Sequence, residues 1–110
     1  MDINNMKCVM IFSEDLPIGV IANTAAIMGA SLGKSDPEIV GITPTDKDGR
    51  EHSGLIQFPV PILKSDSTTI RDIRNKAIEN YCDDISYLGL TLCGPKKAIN
   101  KLTGSLSLLR

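Results

Sequence analysis

Cys8-Val9-Met10-Ile11-Phe12 is the stretch on which the fold turns. It is a short, continuous apolar run rich in strand formers, and such a run reads as a strand covered on both faces. That is the position of an inner strand in an α/β domain. Ser13-Glu14-Asp15 ends the run. Pro17 then stands where a first helical residue is expected, with Asp15 or Leu16 as the cap and acidic groups near the positive helix end. Ile18, Ile21, Ala22, Ala25, Met28, Gly29 and Leu32 follow at helical spacing, and Gly33 reads as the stop.

Further along, Ile39 to Ile42 reads as a short strand, and Pro44 to Gly54 is polar with a tight-turn signal at Asp48-Gly49. Leu55 to Phe58 and Val60 to Leu63 are strand-like. Pro59 and Pro61 cannot donate to a ladder, so an edge or interrupted strand is expected there. Ser65 to Thr69 supplies caps for a second helix, whose apolar stripe is Ile70, Ile73, Ala77, Ile78 and Tyr81. Arg71, Arg74 and Lys76 fall on its solvated side. After a turn at Asp83-Asp84, Tyr87 to Cys93 reads as a second buried strand. Gly94-Pro95 opens a short helix carrying Ala98, Ile99 and Leu102, stopped at Thr103-Gly104. Leu106, Leu108 and Leu109 form a tail that adds an edge strand or docks on the domain. The order of elements predicts a single α/β domain over residues 1–110, a three-layer α/β/α arrangement around a mixed four- or five-stranded sheet.

Bulk properties agree with one globular domain. The 110 residues are 42% hydrophobic and 23% charged, and splitting them would leave pieces too small to bury a core. A formal net charge of -1 argues against a broadly basic nucleic-acid surface, though Lys96, Lys97, Lys101 and Arg110 leave the C-terminal segment locally positive. No apolar stretch reaches the roughly 20 residues of a membrane span. Cys8, Cys82 and Cys93 form no CxxC motif, and Cys8 and Cys93 lie in apolar runs, where free core thiols are expected. The expectation is therefore a reduced, cytoplasmic, soluble protein.

Two segments resemble the type II peptidyl-tRNA hydrolases. One is Asp15-Leu16 followed by Gly19 and Ile21-Ala22; the other is Gly94-Pro95, Ile99, Leu102-Thr103-Gly104, Leu106 and Leu108. The resemblance implies that fold. A wider one, over nearly the whole chain, is to the domain-of-unknown-function family 2000. It rests on Glu14-Asp15-Leu16-Pro17, Gly19, Asn23, Leu32-Gly33, Val40-Gly41, Asp46-x-Asp48-Gly49 and Pro59-Val60-Pro61-Ile62-Leu63. It implies the same fold and no established activity. Where the hydrolases carry lysines before their first helix, this chain has Pro17-Ile18-Gly19-Val20, and Ile27 stands where that helix often presents His. Without those cations, attraction of a polyanionic substrate and charge stabilisation in the transition state are both missing.

Candidate site residues follow from chemistry and position. Ser13, Glu14 and Asp15 lie at the carboxyl end of the first strand, the usual ligand crevice of α/β sheets, and Gly94 is expected nearby at the end of the later strand. Glu14 or Asp15 would serve as base or hydrogen-bond acceptor there; helix capping explains the same residues without any ligand. Asn23 is the odd polar residue of the first helix, binding a ligand or a backbone group if it faces inward. Asp46, Asp48 and His52 form the most suggestive cluster, and His52 is the acid/base candidate of that loop. A calcium loop is not expected, because position twelve counted from Asp46 is Gln57 rather than Glu, and a hairpin tip accounts for Asp48-Gly49. No metal and no cofactor are expected. Two functional readings remain: a module binding a small molecule or a partner, with a homodimer possible through a sheet edge or helices, and a hydrolase using a carboxylate or His52 as base.

Overall fold

The computed structural model describes residues 5–42, 45–51, 55–77, 82–85 and 89–110. Ile78, Tyr81, Tyr87 and His52, named above from the sequence, lie outside the described residues. The chain runs β1 (Met6–Ser13), α1 (Ile18–Ser35), a 3-10 turn (Pro37–Ile39), β2 (Val40–Ile42), β3 (Leu55–Ile56), β4 (Ile62–Ser65), α2 (Ser67–Ala77), β5 (Cys82–Ile85), β6 (Gly89–Pro95), α3 (Lys96–Thr103) and β7 (Ser107–Leu108).

Strands β5, β6, β1 and β4 lie side by side in that order, and the two-residue β7 completes the edge beyond β4. The sheet is mixed: β1 is parallel to β4 and antiparallel to β6, with Cys8 opposite Cys93 and Met10 opposite Thr91. β2 and β3 form a separate two-stranded ribbon. Alternation along β1 sorts the core into two halves. Val9 and Ile11 pack with Ile73 and Ala77 of α2 and Ile99 of α3. Met6, Cys8, Met10 and Phe12 share the other face with Ile21, Met28 and Leu32 of α1. One helix therefore covers one face and two cover the other, as the apolar run at residues 8–12 predicts. Phe12 and Ile11 are both fully buried, and burial of one such side chain stabilises by about 1.5–3 kcal/mol.

Several local expectations are corrected. Neither Asp15 nor Leu16 caps α1: Pro17 is the N-cap, with no side-chain cap bond, and its carbonyl accepts from Val20 and Ile21 N–H at 3.1 Å each. A β-turn closed by Leu16 N–H to the Ser13 carbonyl (3.3 Å) takes up Glu14 and Asp15 instead. α1 passes through Gly33 and ends at Ser35, because Asp36 precedes Pro37 and a residue before proline is disfavoured in helical conformation. Its buried stripe is Ile21, Thr24, Met28 and Leu32, which leaves Ile18 74% and Ile27 58% exposed. Of the two expectations at the prolines, the interruption holds, since β3 ends at Ile56 and β4 begins at Ile62, and the edge does not. Pro59 and Pro61 precede it, so no ladder donor is lost within Ile62–Ser65, and β1 and β7 flank it on both sides.

Cys8 and Cys93 are joined by a disulfide rather than held as free thiols. Register is the reason: the two residues face each other directly across β1 and β6. The case for a reducing compartment that rested on free thiols falls with it. Among the described residues no helix is long and apolar enough to cross a membrane.

The cap expected for α2 is present. The Asp66 carbonyl accepts Ile70 N–H at 3.1 Å, and its carboxylate accepts Thr69 N–H at 2.7 Å and the Thr69 hydroxyl at 3.0 Å. The Thr69 N–H, and after it the hydroxyl, hold the Asp66 carboxyl below its ordinary value of 3.8. A depressed pKa gives stability that is complete above the ordinary value and lost as pH falls below it. Asp66→Ala is expected to lower the urea midpoint at about pH 7, and the gap from the parent should close as the buffer is taken into the acid range. A gap that stays constant with pH would remove the charged cap from this account.

Candidate functional site

Elements of the sheet place the residues singled out from the sequence at two different ends. Ser13, half-buried, closes β1 opposite Ser65, and the Glu14 N–H donates to the Ser65 carbonyl at 3.1 Å. Glu14 and Asp15 are exposed in the turn, and Asn23 is exposed on the outer side of α1. Gly94 is not with them. Because β6 runs antiparallel to β1, Gly94 pairs with Lys7, about 20 Å along the strand from Ser13.

The loop carrying Asp46 and Asp48 also departs from the far end. α1 has 18 residues and returns the chain about 27 Å, so that Leu32 and Ile39 pack on Met6 and Cys8 at the start of β1. Asp46 is a turn former. Its Oδ1 accepts Asp48 N–H at 2.9 Å and Arg50 N–H at 3.0 Å, while Gly49 N–H donates to its carbonyl at 3.1 Å. Gly49 takes φ 82, and Thr45 bridges Glu51 behind it. This is a hairpin tip whose one left-handed position is occupied by glycine. Among the described residues, no group of three or more His, Cys, Asp or Glu side chains is placed to hold a metal. The single crevice expected around Ser13, Asn23, Gly94 and the Asp46 loop is thus divided between the ends of the sheet, with His52 outside the described residues.

A groove of about 320 Å³ opens at the Lys7 end, lined by Met6, Lys7, Phe58, Pro59, Pro61, Lys96 and Asn100. Its origin is the proline pair. β6 accompanies β1 from Met6 onward, whereas the parallel ladder to β4 begins only at Met10 opposite Ile62. Segment 58–61 therefore runs beside the first turn of α3 without closing against residues 6–9 as a strand. Phe58, half-buried, leans on the cluster of Met6, Cys8 and Cys93 and forms an apolar wall. On the opposite rim, the half-buried Lys7 donates from Nζ to Asn100 Oδ1 at 2.7 Å, and Lys96 begins α3. No acidic side chain is among the lining residues.

From the sequence, Lys96 belongs to a locally positive segment open either to phosphate or RNA contact or to plain solvation, Pro59 and Pro61 are breaks in a ladder, and Met6, Phe58 and Asn100 have no role in a site. The prolines were the available signal: two missing ladder donors beside a central strand mark where a sheet stays open.

Chain path and sequence agree on the kind of protein this is. The structure of a protein of unknown function from Agrobacterium tumefaciens strain C58, Atu0240, superposes with a TM-score of 0.84 over 94% of this chain and 97% of that one, at 18% sequence identity. The likeness establishes the fold. The profile of the family described as "Protein of unknown function (DUF2000)" matches residues 6–85 and 81–110, and the chain belongs to that family. No curated protein matches the sequence.

Proposed function

We propose that this family member is a small-ligand-binding module, and that its site is the groove at the start of β1 rather than the Ser13 crevice. In this reading the likeness to type II peptidyl-tRNA hydrolases is one of chain path, without their reaction. The observation that carries it is the groove itself. Its volume of about 320 Å³ lies at the lower end of the roughly 300–1,000 Å³ typical of small-molecule sites, and it combines apolar walls with a few polar groups. At the other end of β1, Glu14 and Asp15 stand exposed in a surface turn, a poor setting for a general base that needs a positioned partner. A fragment screen followed by amide chemical shifts tests the site. Hits are expected to perturb Lys7, Gly94 and Asn100; hits confined to Ser13–Asn23 would move the site back to the other end. A peptidyl-tRNA assay beside Asp15→Ala tests the rival reading, with no turnover above background expected. Turnover that disappears in the variant would establish a hydrolase instead.

A further inference from the structure

We infer that the groove selects a compact organic anion, a carboxylate or phosphate joined to a flat apolar group; this rests on the small-ligand reading above and assigns its chemical class. Charge supplies the first half of the argument. Lys7 and Lys96 put two cations on the rim, and the lining contributes no carboxylate to neutralise either. Lys7 does not swing freely, because Asn100 Oδ1 accepts from its Nζ at 2.7 Å. An ammonium group has three donors, so two stay available to a ligand after that bond is made. The first turn of α3 lies on the same rim with Pro95 as a cap that offers no side-chain acceptor, so the positive end of the helix adds to the field of the lysines.

Shape supplies the second half. Opposite the lysines, Phe58, Pro59, Pro61 and Met6 present a wall with an aromatic ring and two pyrrolidine rings, surfaces that accept a planar apolar group. A bare inorganic anion would leave that wall uncovered. A neutral apolar molecule would cover that wall but leave both ammonium groups on the rim unpaired, so it would gain nothing from them. The volume excludes an extended polyanion from the interior, in keeping with the net charge of -1 over the chain.

The test uses two fluorescent probes of nearly the same shape. These are 8-anilinonaphthalene-1-sulfonate, which carries an anionic group on a flat apolar body, and neutral N-phenyl-1-naphthylamine. The sulfonate is expected to bind the native protein saturably at one site, weakened about tenfold in a Lys7→Met/Lys96→Met double variant and weakened by added salt. The neutral dye is expected to bind the parent and that variant equally, and Phe58→Ala is expected to weaken both dyes. Unchanged far-ultraviolet circular dichroism establishes that each variant is folded, and the salt titration of the parent gives the charge readout independently of any variant. Sulfonate binding that stays within twofold in the double variant, or that ignores salt, would overturn the anion selectivity while leaving the groove as a ligand site. Saturable binding of neither dye to the parent, or indifference of both to Phe58→Ala, would overturn the groove as a ligand site and the selectivity with it.

Discussion

Reduction of the Cys8–Cys93 disulfide is expected to lower the free energy of unfolding by about 4–5 kcal/mol. The two cysteines are separated by 85 positions, so the bond closes most of the chain into one loop. Cross-linking removes conformations from the unfolded ensemble, and the loop-entropy relation gives about 3 kcal/mol for a loop of roughly 15 residues and about 4.7 for roughly 100. A domain of this size has a total stability on the order of 5–15 kcal/mol, so the bridge accounts for about a quarter of it or more. Urea unfolding with and without a reductant measures the difference. With an m-value of about 1–3 kcal/mol/M, the midpoint should fall by roughly 1.3–5 M. A Cys8→Ala/Cys93→Ala variant should fall further, since both side chains are buried, at 0% and 7% exposure, and truncation also removes packing. Coincident midpoints in the oxidised and reduced protein would show that the unfolded chain is not constrained in this way.

Substitution of Gly89 by alanine should destabilise the protein by about 2 kcal/mol, although alanine ordinarily favours folding by restricting the unfolded chain. A methyl group built at Gly89 meets two ring carbons of Phe12 at 2.6 and 2.8 Å and the Met28 methyl at 3.1 Å. Phe12 faces Gly89 across β1 and β6 and is fully buried, so its ring has nowhere to retreat. Overpacking of a filled core costs about 1–3 kcal/mol, which exceeds the gain from replacing glycine in a strand. Pairing Gly89→Ala with Phe12→Leu separates this cause from a backbone effect. Shortening the ring makes room for the methyl, and the double variant should be more stable than the sum of the single changes by about 1 kcal/mol. Strict additivity in chemical denaturation would place the cost of the alanine elsewhere.

Local chemistry made much of this fold readable in advance. The apolar run at residues 8–12 announces a strand sandwiched between helices, and the alternation of Val9 and Ile11 against Cys8, Met10 and Phe12 delivers both faces. Asp66 and Thr69 announce the start of α2 in the same way. Strand direction was not readable. A strand buried on both faces is apolar whichever way it runs, so nothing within Gly89–Pro95 reports that it opposes β1. The displacement of Gly94 from Ser13 and the pairing of Cys8 with Cys93 both follow from that one fact. The groove was hidden for a related reason: Lys7, Phe58 and Lys96 belong to three distant segments, and only the pairing of β1 with β6 and the halted ladder at Pro61 bring them around one groove.

At its far margin the sheet ends on β7, two residues paired as Leu63 with Leu108 and Lys64 with Ser107, followed by Leu109 N–H to the Ile62 carbonyl at 2.9 Å. A strand border invites recruitment of other chains in proportion to the length of unpaired backbone it offers. Here the C-terminal tail lies along β4 and leaves a border of only two residues, with Leu106 and Leu109 docked into the cores on opposite faces of the sheet. Residues 107–109 thereby occupy the free side of β4 and leave little unpaired backbone on offer there.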